Sequence, residues 1–388
     1  MRRRAKTQLF THRGQEAVEK LVALSTSQAK PILQPTPPKP KKLTTISAAE
    51  ISAMHFDEIP HVVADLLPVG LTVFAAPPKT GKSWFCLALS ESIVHGQPFF
   101  GRTTMQGDAL YLDLESRGIR VQERMRRMKC RPATNLDITF EANDLHHGLL
   151  DQLTEWRTSH PKGRLIILDT FARIKGASPR NLDAYSADSQ LLAPLQRWAL
   201  DQNIAVILVT HLRKQSSRYA ADADPFELIT GSNGQFGIAD TAWLVTGQRT
   251  DEQRHLIVSG RDLEAQDVVI AFDKMNCRWR CLGDAESVQR AQAVHSPIVR
   301  TVLALLNEAN NGEIRLTSSD IITSSIEKFG SCDIILPSEL GKKLRELVPL
   351  FAEFGVAYEP PGKNGGKQGR RHSFRRKAST ARTEQLAL

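Results

Sequence analysis

The residues at 76–83 read APPKTGKS, which is the spacing GxxxxGKS with Ala76 in place of the first glycine. An apolar run, GLTVFAA, precedes them and a helix-like run, SWFCLALSESIV, follows. In that setting a loop wraps phosphate oxygens with backbone N–H groups, and the helix dipole adds to the attraction. The candidate nucleotide-binding residues are therefore Pro77, Pro78, Lys79, Thr80, Gly81, Lys82, Ser83 and Trp84. Gly81 lets the backbone come close, Lys82 reaches the terminal phosphates, and Ser83 offers a hydroxyl to Mg²⁺. Lys79 is either a further phosphate contact or a solvated cation. Hydrolysis needs more than a phosphate loop, namely a second metal acid and a group that polarises water. RLIILDT places Asp169 at the carboxyl end of a buried strand, where such an acid belongs. ALYLDLES ends on Glu115, a candidate base, with Asp113 on the same strand face as its competitor. IAVILVTH brings Thr210 and His211 to the same edge, either as a phosphate sensor or as a satisfied core histidine.

These groups need a scaffold that aligns strand ends. Runs at 70–76, 108–115, 164–170, 204–211, 240–247 and 255–262 read as strands, several apolar on both faces. Helical spacing at 83–95, 118–130 and 184–202 alternates with them, which predicts a parallel α/β sheet covered on both sides. After Asp240 the strands crowd together, which predicts antiparallel additions at one edge. Residues 1–45 form a basic Pro-rich arm, 46–285 the main domain, 286–296 a Gln/Ala-rich linker, 297–377 a smaller helical module and 378–388 a tail.

Charge divides along the same lines. Lys plus Arg outnumber Asp plus Glu by 51 to 42, a net +9. Residues 1–45 hold ten basic and two acidic side chains and 360–388 hold eight and one, so +8 and +7 lie at the ends and −6 is left for 46–359. Basic ends are either solvated or nucleic-acid arms. The five cysteines lack framework spacing; the CxxxC of Cys277 and Cys281 has no second pair, so reduced thiols are expected rather than zinc. No apolar stretch is long enough for a membrane span and no signal peptide is evident, so a cytoplasmic protein with no membrane association is expected.

The combination PxGLTxxxxxPKTGKSW, YLDLES, LIILDTFARI and VILVTHLRK, within residues 46–283, resembles the RecA-like ATPases of the AAA class, in particular the RepA-type group that includes the plasmid hexameric replicative helicase. The resemblance implies a RecA-like P-loop NTPase core with a mainly parallel sheet, ATP and Mg²⁺ as cofactors, and a hexameric ring acting on single-stranded or origin DNA in a plasmid, prophage or other mobile element. It implies Lys82 and Glu115 as catalytic, Ser83 and Asp169 as Mg²⁺ ligands and His211 as sensor. It also implies an arginine supplied in trans, where Trp243 stands at one comparable place and Arg261 in a later hairpin is the candidate, with Arg249 or Arg254 as substitutes. The loop after the sensor strand, with Arg213, Lys214 and Arg218, would face DNA. The C-terminal module resembles a winged helix: Lys342, Lys343 and Arg345 on its third helix and Lys363, Lys367, Arg370 and Arg371 in its wing would contact phosphates. The resemblance further implies a primase or replication initiator as partner. A DNA-binding ATPase switch or loader without unwinding fits the same residues.

Overall fold

Strands apolar on both faces have to lie in the middle of a sheet, and the computed structural model places them there. It describes residues 43, 45–176, 184–212, 226, 233–247, 250–362 and 370–377. The chain divides into Met1–Asp57 and Glu58–Leu388. In the first unit the helix Ala48–Ala53 starts from a capping box, in which Ser47 Oγ accepts from the Glu50 N–H and Glu50 returns a bond to the Ser47 N–H. It buries none of its residues.

In the second unit β1 (His61–Val63) and β2 (Leu67–Pro68) pair as a short antiparallel ribbon. The main sheet contains β3 (Gly70–Ala76), β4 (Asp108–Asp113), β5 (Leu136–Thr139), β6 (Gly163–Asp169), β7 (Ala205–His211), β8 (Thr241–Thr246), β9 (Gln253–Gly260), β10 (Gln266–Asp273) and β11 (Arg278–Asp284). Their order is β11-β10-β9-β8-β3-β7-β6-β4-β5. From β8 to β5 all neighbours run parallel, and β9, β10 and β11 add antiparallel. Sequence reading missed β5 and the helix Leu149–Ser159, because LDIT is too short and its residues too half-buried to give a period. All seven residues of β3 are buried. Its Phe74 packs with Phe85 and Trp243 in a core that also holds Tyr111 and residues of the helices Lys82–Val94 and Gly118–Met128, while Leu71 and Val73 belong to the core on the other face with residues of helices Leu149–Ser159 and Ala184–Asp201. Alternation along one strand thus serves two cores.

The end of the sheet away from the phosphate loop is tied by Asp240. Its Oδ2 accepts from the Leu71 N–H at 2.8 Å and its Oδ1 from Gln196 at 2.7 Å. Gly70, at φ 104°, makes room for it, since a Cβ there would lie 2.5 Å from that same Oδ2. Trp243 is fully buried on β8 and donates its indole N–H to Leu66 O at 3.2 Å, so it is a core residue.

The segment read as a linker is the helix Ala285–His295, started by Asp284, whose side chain accepts from the Ser287 N–H. It carries Arg290 to an ion pair with Glu353, 2.7 Å away in the module that follows. That module runs as helix Pro297–Glu308, β12 (Glu313–Thr317), helices Ser318–Phe329, Pro337–Glu346 and Val348–Glu353, then β13 (Val356–Glu359) and β14 (Arg371–Arg376). The run PSELGKKLRELVPLFAEFG, expected from its sequence as one third helix, forms two, with a break at Leu347 and Pro349 in the first turn of the second. The unread β12 lies beside β14 in a three-stranded antiparallel sheet ordered β12-β14-β13. Ile298, Val302, Ile321, Leu340, Phe351 and Phe374 make its separate core.

Candidate active site

The loop after β3 folds as its composition requires. Gly81 takes the left-handed conformation at φ 95° as N-cap of Lys82–Val94, and Lys79 takes φ 61°. Thr80 turns inward and donates to Pro77 O at 2.8 Å. Pro78 and Lys79 are exposed and Pro77 half-buried. The Lys82 ammonium donates to Ala76 O at 3.1 Å and lies 3.0 Å from His211 Nδ1, which links the loop directly to the tip of β7. Burial lowers the Lys82 pKa, with Asp169 opposing. Burial, and then Lys82, also lower that of His211, and because an ammonium can only donate, Nδ1 accepts from Lys82.

Parallel registry brings the acids to the same edge, since Asp113 pairs with Asp169 across β4 and β6. Asp169 is buried, and its Oδ2 accepts from Tyr111 OH at 2.9 Å and from Ser83 Oγ at 3.4 Å. Burial pushes its pKa up to about 6, and the nearby Asp113 and Glu115 add to this against Tyr111 and Lys82. The strand expected over 108–115 stops at Asp113, because that side chain turns the chain: it accepts from the Ser116 N–H at 2.9 Å and pairs with Arg124 at 3.2 Å. Asp113 is therefore consumed in structure. Glu115 lies beyond the strand with its side chain 46% exposed, so it is reachable from solvent, and it accepts from Thr170 Oγ1 at 3.2 Å and lies 3.9 Å from His211 Nε2. Thr210 is buried next to Ala75. Lys82, Ser83, Glu115, Asp169 and His211 are thus one cluster.

Tyr111, Thr170 and Trp279 were missed in the sequence. Tyr111 was a plausible signal, a hydroxyl among apolar residues two before Asp113, whereas nothing local marks Trp279. Trp279 donates its indole N–H to Gly81 O at 3.3 Å. With Lys79, Trp84, Arg254 and Phe272 it lines an open cleft beside the loop. Trp84 meets Phe272 edge-on at 6.1 Å and carries the Arg127 guanidinium 5.5 Å from its ring centroid.

Residues 36–217 match the family model described as AAA domain. Its span takes in the loop 76–83, Glu115, Asp169 and β7. Over that span the chain is similar to an AAA domain. Among solved structures the chain is similar to the ATPase domain of G40P, at 14% identity and TM-score 0.44, over 55% of this chain and 84% of that one. It is also similar to a DnaB-like replicative helicase described with its interactions with primase, at 15% identity and TM-score 0.47, over 69% of this chain and 71% of that one. Among curated proteins none matches.

Outside this cluster the domain scatters the expected site residues. Arg261 follows β9 at the end of the sheet opposite the phosphate loop, the length of β3 away or about 20 Å at ~3.3 Å per residue. There it lies 3.5 Å from Asp240 and donates to Gly237 O, with its side chain 58% exposed, so it does not reach its own loop. Arg254 is buried over the Trp279 ring, with centroid distance 5.6 Å. Arg249, Arg213, Lys214, Arg218, Lys363 and Lys367 lie outside the described residues. In the C-terminal module Lys342 and Arg345 are exposed, Lys343 is 3.6 Å from Glu346, and Arg370 and Arg371 are exposed at the start of β14. Gly341 faces His372, so the helix bearing Lys342, Lys343 and Arg345 packs on β14, which begins at Arg371. All five described cysteines are free, and among the described residues no cluster of His, Cys, Asp and Glu could hold a metal ion. No helix among the described residues is long and apolar enough to cross a membrane.

Proposed function

We propose that this chain hydrolyses ATP with Mg²⁺ and uses the cycle to drive a ring of its copies along single-stranded DNA, as a RepA-like replicative helicase. The observation that carries the reading is the cluster itself: a buried loop lysine held to a strand-tip histidine, and that histidine 3.9 Å from an accessible carboxylate. Ser83 and Asp169 offer hard oxygen donors on neighbouring elements and fit Mg²⁺, which when bound neutralises charge on the phosphates. Tyr111 holds the Asp169 carboxylate as an acceptor. Glu115 takes the water proton, positioned by Thr170, and Asp113 is too engaged with Arg124 to compete. Lys82 contacts the terminal phosphates and, through its Nδ1 partner His211, reports their state to the chain beyond β7.

Arg261 serves a neighbouring copy, which its distance from its own loop and its exposure both favour. A trans arginine is worth roughly 10³–10⁵ in rate in phosphoryl transfer. Arg213, Lys214 and Arg218 contact the single strand; Lys342, Lys343, Arg345, Lys363, Lys367, Arg370 and Arg371 of a winged helix contact duplex or origin DNA. The order of helix, strand and three further helices with a terminal pair of antiparallel strands supports that second assignment. A primase or initiator is the expected protein partner of such a ring.

A loader or switch without unwinding is the second reading. It is favoured by the Arg290–Glu353 pair, which fastens the basic module to the ATPase edge. A forked-duplex displacement assay with the assembled oligomer separates the two. Unwinding that Lys82→Ala and Glu115→Gln both abolish is the expected outcome, with Glu115→Gln still retaining ATP. Turnover stimulated by single-stranded DNA but no displacement by a confirmed oligomer overturns the helicase reading.

A further inference from the structure

Trp279 belongs to β11, 198 residues from its hydrogen-bond partner Gly81 and outside every motif in the chain. It is 8% exposed, so its ring is a wall of the cleft and has little face to offer a ligand. The Phe272 ring meets it edge-on at 5.4 Å, the Arg254 guanidinium covers it, and a Cβ on Gly81 would lie 3.3 Å from its Nε1. Next to it, Arg278 pairs with Glu91 of the phosphate-loop helix and donates to Met128 O at 3.0 Å. β11 therefore grips that helix at its first turn and again near its end.

The acceptor decides what the grip does. Gly81 O already takes the first helical bond, from the Phe85 N–H at 3.1 Å, and the indole N–H fills its second lone pair. A trans peptide is planar, with its C=O and N–H pointing opposite ways. Fixing Gly81 O on both lone pairs therefore fixes the direction of the Lys82 N–H, one of the free donors at the helix start that a phosphate meets. Glycine on one side of that peptide leaves its orientation otherwise soft.

We infer that Trp279 is a positioning residue for the phosphate loop: its indole N–H sets the Gly81–Lys82 peptide in the orientation that binds nucleotide phosphates. The inference rests on the nucleotide-binding reading above. Two replacements test it in the full chain, Trp279→Phe and Trp279 replaced site-specifically by benzothienylalanine, which keeps the bicyclic shape and lacks the N–H. MgADP binding is measured by calorimetry and steady-state turnover is measured alongside, with the wild type and Lys82→Ala as references. Loss of one net hydrogen bond predicts an ADP dissociation constant about fivefold to tenfold higher in the isostere variant. The KM for ATP should rise in step while kcat stays within about twofold, because the bond acts on bound phosphate in ground and transition states alike. The isostere leaves the packing in place, so it keeps the test decisive should Trp279→Phe not fold. Wild-type ADP affinity in a folded isostere variant overturns the positioning role, and so does a lowered melting temperature with unchanged ADP affinity. A wild-type protein that binds no MgADP would instead overturn the nucleotide-binding reading on which the inference stands.

Discussion

At the scale of the residue, the site brings charges into a buried place, and the cost of that falls on Asp169. A carboxylate whose pKa is raised to about 6 from 3.8 binds more protons in the folded than in the unfolded chain between those values. Stability from this group therefore declines as pH rises through that window and is lowest above it. Asp169→Asn should raise the melting temperature of the protein at pH 8, free of Mg²⁺ and nucleotide, and should not raise it at pH 4, while abolishing turnover; scanning calorimetry at the two pH values checks this. Tyr111→Phe removes the donor that favours the charged form, so the Mg²⁺ concentration for half-maximal turnover should rise several-fold. Lys82, Ser83 and Asp169 were legible in the chain because each stands at a fixed offset from a strand end. Between Glu115 and Asp113, which face the same way along a strand, position nearer the tip favours Glu115, and Arg124, eleven residues beyond Asp113, engages Asp113 in keeping with that reading.

Elements show where local pattern stops being sufficient. The six strands read from apolar runs are all present to within a few residues, because burial on two faces leaves a strong compositional mark. The C-terminal module was harder. Its β12, EIRLT, is half-exposed, and Pro349 divides what the helical period joined. A truncation at 360 would remove β14, whose Phe374 is fully buried, so the basic C-terminal residues cannot be deleted without the core of their module. The same strand contributes His372, buried with Nε2 3.0 Å from Ser318 Oγ and Nδ1 2.9 Å from Tyr358 OH, and burial and Arg345 hold its pKa below the usual 6.5. The unfolded chain then binds the proton more readily, so this contribution is fully present above about pH 6.5 and is lost as pH falls below it. Urea melts at pH 7.5 and 5.0 should show the wild type losing more stability on acidification than His372→Gln; equal losses would place the sensitivity elsewhere.

For the whole molecule, the sum of charges has become a question of which surfaces carry them. Arg370→Ala with Arg371→Ala leaves the module core intact and should reduce the slope of log binding constant against log salt by about 1–2, at roughly 0.7–0.9 per phosphate contact, with basal ATP turnover unchanged. Mixing Glu115→Gln with Arg261→Ala should restore part of the turnover that each lacks if sites are shared between copies; strictly additive loss points to a self-contained site. By itself the sequence determined the phosphate loop, the strand-end acids, the α/β class and the antiparallel edge, all carried by residues within a few positions of one another or by a short period. Only the tertiary structure decided that Trp243 is core, that Arg261 lies at the far end of the sheet from its own loop, and that Trp279 reaches Gly81. Those contacts join residues well over a hundred positions apart or depend on sheet order, and packing places them where no local preference points.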